Sequence, residues 1–205
     1  MLAGLADDRT TPTSVASDAA TTLVGVLIGE GKLEEASQRL AERRLTMSAD
    51  AYDLLRRRIA LGWIRQGDLA RAESAIAADS SVDGLALSGR VRLYRGDIAG
   101  AVDRFKAAGP YAGDRAEATQ RTALLALLQP LEADSLPELG RALLQLEQGD
   151  TAGAAGGLER VAGELPAHQG GAELHLLAGR LLAATGKPLE AERLLRAAAV
   201  REAPA

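Results

Sequence analysis

Two histidines, a serine beside a glycine, a run of three arginines and a few glycine and acid pairs are the residues of this 205-residue chain whose types could do chemistry. His168 falls in a Pro166–Gly171 turn and His175 on the helix expected after it. No acid or third ligand stands at a recognisable metal spacing, so both read as surface or groove histidines, and no metal is expected. Ser88-Gly89 does not form a nucleophile elbow. Ala86 stands where the first glycine of G-x-S-x-G belongs, and the segment reads as helix and not as strand–turn–helix. The pairs Gly156-Gly157 and Gly170-Gly171 follow no strand, so a phosphate cradle lacks its context. Glu34-Glu35 reads as an acidic first helical turn, where the backbone dipole favours negative charge. The chain has no cysteine, which excludes disulfides, thiolate metal sites and cysteine nucleophiles. No constellation favours an enzyme and no cofactor is implied. Arg56-Arg57-Arg58 is the sharpest charge run. Its simplest reading is a solvated helix flank.

What such residues can do depends on the elements that carry them. Apolar residues make up 47% of the chain, but only five residues are aromatic: Tyr52, Trp63, Tyr94, Phe105 and Tyr111. Ala and Leu supply most of the rest, and strand formers are scarce, which predicts an all-α fold. The net charge is −4, with 24 basic and 28 acidic residues. A protein that neutralises many phosphates carries a basic excess, so no nucleic-acid partner is expected. Met1–Asp8 has no basic region of the signal-peptide type. The apolar run Leu23–Ile28 is far too short to span a bilayer, so no membrane insertion is expected. The compartment, cytoplasm or periplasm, stays open. The Ala, Arg and Gly bias suggests a GC-rich bacterial genome.

One phrase recurs five times: a glycine, a polar residue, an apolar or small residue, two more residues, then alanine. It runs Gly31 to Ala36, Gly67 to Ala72, Gly96 to Ala101, Gly149 to Ala154 and Gly186 to Ala191. The glycine can end a helix in the left-handed region. Asp68, Asp97 and Asp150 can cap the next helix, and Pro188 suits a first helical turn. The alanine then lies where a small side chain lets two helices approach. Each phrase predicts a helix, a glycine turn and a second, shorter helix.

These residues resemble the tetratricopeptide repeat (TPR) family. Its small residue seven before the turn glycine is matched by Ala60, Gly89, Ala142 and Gly179. Trp63 and Leu182 match its large residue three positions later, and Arg92 does not. The large residue four after the alanine is matched by Leu40, Ile76, Phe105, Leu158 and Leu195, and the small residue three further on by Ala108 and Ala198. The resemblance covers roughly residues 16–201 and implies a right-handed superhelical solenoid of helix hairpins. The turn glycines lie 36, 29, 53 and 37 residues apart (67 − 31, 96 − 67, 149 − 96, 186 − 149). The short interval implies a short second helix or a clipped loop around Ala78–Ser81. The long one leaves room for an irregular extra helix over 114–128, stopped by Pro130. Ser135 and Glu138 offer a capping box for the next helix, with Pro137 in its first turn. Two sub-arrays, 16–110 and 114–201, are one outcome of that irregularity. Residues 1–15 read as a flexible or partner-bound leader, and 202–205 as a tail.

The resemblance also implies a concave face lined by the first helix of each pair. In that register Arg57, Leu61 and Arg65, then Arg90 and Tyr94, then Leu143, then Arg180 face a binding groove. Glu147 occupies the position equivalent to Tyr94. Planar guanidinium groups there suit carboxylates. The family's Lys/Asn carboxylate clamp is not reproduced, and Trp63 and Phe105 fall at inter-helix core positions. The function implied is a protein-interaction module that binds a peptide or partner protein. The alternative is a scaffold or homo-oligomerisation segment of a larger bacterial assembly or multidomain protein.

Overall fold

The structure is a computed structural model that describes residues 13–109 and 111–202. Every regular element among the described residues is helical. The chain divides into two compact units, Met1–Asp79 and Ser80–Ala205. The sequence had placed its candidate break near 110–114. Residues 1–12 of the expected leader and 203–205 of the tail lie outside the described residues. Thr13, inside the expected leader, already opens the first helix.

The first unit contains α1 (Thr13–Gly29), α2 (Leu33–Glu42), α3 (Ala49–Arg65) and α4 (Leu69–Ile76). Helix α1 packs on α2 and on α3, α2 packs on α3, and α3 on α4. Val24, Leu27, Leu33, Leu40, Leu55, Ile59, Trp63, Ile64 and Ile76 form its interior. At eight residues, α4 is the short second helix that the 29-residue interval predicted. Ser81 then caps the next helix by accepting from the Gly84 amide at 3.1 Å.

The second unit contains α5 (Val82–Tyr94), α6 (Ile98–Ala108), α7 (Arg115–Leu128), α8 (Pro137–Glu147), α9 (Thr151–Glu164), α10 (Ala172–Ala184) and α11 (Pro188–Glu202). A wide turn over Ala167–Gly171 separates α9 from α10. The hairpins α5/α6, α8/α9 and α10/α11 pack internally, and α9 also packs on α10.

All five turn glycines have positive φ, from 74° to 86°. At each turn the glycine amide bonds back three residues and the next amide five, as at Gly67 to Ile64 and Asp68 to Trp63, both 2.9 Å. This closes the orphan carbonyls of the first helix. Asp68, Asp97 and Asp150 then accept from the amides three residues on, at 2.9, 2.8 and 2.9 Å. Ala36, Ala72, Ala101, Ala154 and Ala191 are all buried. One repeated phrase therefore builds the same helix–turn–helix joint five times.

The 53-residue interval does contain an extra helix, α7. Asp114 caps it, accepting from the Ala116 and Glu117 amides at 2.8 and 3.4 Å. Helix α7 packs on α6, and the chain then returns so that α8 lies against α5. The return strap is tied at three points. The Asp134 carbonyl accepts from the Ile98 and Ala99 amides at 2.9 and 3.2 Å, and the Leu136 amide donates to Gly96 at 2.8 Å. The first bonds satisfy amides that a helix start leaves without partners. The predicted Ser135–Glu138 capping box does not form. Leu136 holds the cap position without a side-chain bond, with Pro137 in the first turn as expected. Glu138 pairs instead with Arg141 at 2.7 Å. The strap's backbone bonds go to the α6 start and to Gly96 instead of capping α8.

Candidate interaction surface

The groove residues expected from the sequence fall three in the first unit and four in the second. In the first, Arg57 is half-buried on α3 and donates from Nη1 to Asp79 Oδ2 at 3.0 Å. Arg56 reaches Asp53 at 3.1 Å and Asp79 at 3.7 Å. The Asp79 side chain is only 3% exposed, so these guanidiniums supply the neutralisation that a buried carboxylate needs. Two arginines of the run are thus ion-paired, while Arg58 is exposed. Leu61 is half-buried and Arg65 exposed on the same helix. Asp79 was missed by the sequence reading. Its only signal was an acid in the clipped loop following α4, which no spacing rule places against α3.

In the second unit, Arg90 and Tyr94 lie one helical turn apart on α5 and meet Glu147 from α8. Arg90 Nε donates to the Tyr94 hydroxyl at 3.3 Å, Arg90 Nη2 bonds Glu147 Oε2, and the Tyr94 hydroxyl donates to the same Oε2 at 3.1 Å. The result is a closed triangle of cation, phenol and carboxylate. Burial pushes the Tyr94 phenol above its ordinary value. Glu147 adds to that, and the Arg90 charge opposes it. Burial pulls Arg90 down, but Tyr94 and Glu147 outweigh it, and its guanidinium holds its proton more firmly than usual. The triangle fixes α8 on α5. It also places the expected groove positions of α5 beside that of α8.

Tyr94 and Leu143 are buried, and offer little open surface. Arg180 stands exposed on α10. His168 is exposed, whereas His175 is buried with Nδ1 3.0 Å from the Gly171 carbonyl. The buried ring thus serves the start of α10. Among the described residues no group of three or more His, Cys, Asp or Glu could hold a metal ion. Among the same residues no helix is long and apolar enough to cross a membrane.

Compared with protein-family models, with curated proteins and with solved structures, the chain matches none.

Proposed function

We propose that the chain is a protein-interaction module. In this reading its hairpins stack as a right-handed, TPR-like solenoid, and the first helices of the pairs carry a concave face that takes an extended segment of a partner. The observation that carries the reading is the contact of first helix with first helix: α1 on α3 in one unit, α5 on α8 in the other. Adjacent first helices build a continuous surface and not a closed cleft, which suits a peptide or a helix. The Arg90–Tyr94–Glu147 triangle supports the register, because Arg90 and Tyr94 belong to the expected groove set and Glu147 holds the repeat position equivalent to Tyr94.

The arginines divide into two kinds. Arg57 and Arg90 already hold internal carboxylates, Asp79 and Glu147. Arg180 is exposed, and it is the cation we assign to an acidic partner segment. The test is capture of a partner by the purified full chain, followed by titration of that partner against salt and against Arg180→Glu. Binding that weakens with both is the expected result, since charge across an interface mainly steers association and is screened by salt. No capture, or capture indifferent to both, overturns the reading.

A further inference from the structure

The extra helix creates something that the repeat phrase alone does not. Between α6 and the α7–α8 strap lies a groove of about 590 Å³. Ile98 and Val102 of α6, Leu125 and Leu128 of α7, and Leu131 line it. Its rim carries Asp103, Glu132 and Asp134 against one cation, Lys106. Of these, Glu132 accepts from Gln169 at 2.6 Å. The groove thus combines an apolar lining with exposed acids, and it lies on a second helix, α6. Such a groove selects a large apolar side chain flanked by positive charge.

The chain itself presents that combination. Leu45, in the turn between α2 and α3, is 96% exposed. It follows Arg43 and Arg44 in the sequence, and Arg44 is exposed. The turn is held rigidly. Arg44 donates its amide to Ala41 at 3.3 Å, and the Thr46 and Met47 amides donate to the Arg43 carbonyl at 3.0 and 3.1 Å. The Thr46 hydroxyl adds a bond to the same carbonyl at 3.1 Å. Met47, two residues on, is buried and anchors the turn. Leu45 is therefore presented as a fixed knob at little ordering cost.

We infer that the α6–α7 groove is a self-association site, and that its occupant is the Arg44–Leu45 knob of a second copy of this chain. The contact is heterologous: knob and groove are different patches of the molecule, so each bound copy still offers one of each. Heterologous contacts grow into open chains or close into rings. Leu45 enters the apolar groove and Arg44 lies over the Asp103 and Asp134 carboxylates. One leucine and one charge cluster make a weak joint, favoured by concentration and opposed by salt.

Two exposed-surface variants test this on the full chain. Leu45→Asp removes the knob, and Asp103→Lys with Glu132→Lys reverses the groove rim. Sedimentation velocity and light scattering read the mass over a range of concentrations, with circular dichroism confirming helical content. The wild type is expected to gain mass with concentration and to lose that gain at high salt. Each variant alone should associate roughly tenfold or more weakly. An equimolar mixture of the two retains one intact knob and one intact groove, so its mass should rise to two chains and stop there. A wild type that stays a single chain throughout overturns the proposal. So does association that both variants preserve, or a mixture that gains no more than its parts.

Discussion

At the scale of single residues, small side chains and glycines carry the joint, and their costs can be ranked. Ala101 is fully buried between α5 and α6. Ala101→Leu should overpack the site and cost about 1–3 kcal/mol, read as a lower midpoint in denaturant. An unchanged midpoint would remove the register. The turn glycines look alike in sequence but differ in their surroundings. A Cβ on Gly149 would meet nothing within 4 Å, whereas one on Gly96 would sit 2.5 Å from the Pro137 Cα. Gly149→Ala should therefore cost about 1 kcal/mol, the penalty of the left-handed backbone alone. Gly96→Ala should cost about 1–3 kcal/mol more, because backbone and not a flexible side chain is in the way. Equal losses would mean that the strap does not press on this turn. Tyr94 makes a pH prediction. Its phenol holds its proton more firmly when folded. Its contribution to stability is then present below about pH 10 and is lost as pH rises through its folded value. Wild-type stability should fall over that alkaline range more steeply than that of Tyr94→Phe. Parallel curves would contradict the burial argument.

At the scale of elements, α7 is the departure from regular alternation. It packs on α6 without a hairpin partner of its own, and one arginine ties its lead-in loop. Arg121 is only 2% exposed. Its Nε donates to the Gly109 carbonyl at 3.0 Å and its Nη2 bonds the Ala112 carbonyl. Sequence offered no reason to separate Arg121 from the solvated arginines, because its partners are main-chain carbonyls in a loop with no motif. Arg121→Leu leaves both carbonyls without their donor, at about 1–3 kcal/mol for a buried unsatisfied group. Hydrogen exchange should then speed up in residues 111–115 well before it does in α8 and α9. A uniform loss of protection across the unit would mean that α7 is part of one cooperative block with them.

At the scale of the whole molecule, the chain comprises two units, each with its own interior. Helix hairpins that pack mainly on their neighbours gain stability from adjacent hairpins more than from distant ones. The fragment 80–205 should therefore keep a helical spectrum and a cooperative thermal transition when produced alone. An unfolded fragment would show that the second interior depends on the first unit. Arg57 and Arg90, joined in one groove set by the sequence register, belong to different units. The structure accounts for each within its own unit: Arg57 by Asp79, Arg90 by Glu147.

The sequence by itself determined the local joints. The five glycine turns, the three aspartate caps, the buried alanines, the short α4 and the extra helix all depend on interactions within a few residues, and spacing reports those directly. The tertiary structure decided which polar groups meet across long intervals. Asp79 on Arg57, Glu147 on Arg90 and the 134–136 strap on the Gly96 turn join residues 22, 57 and about 40 positions apart. The capping box that local spacing had favoured does not form: the strap's main-chain bonds tie Asp134 to the start of α6 and Leu136 to Gly96, and Leu136 takes the cap position of α8 without a side-chain bond. Pairing at that range follows from where packed helices bring side chains together. Linear periodicity carries only the face on which each side chain starts.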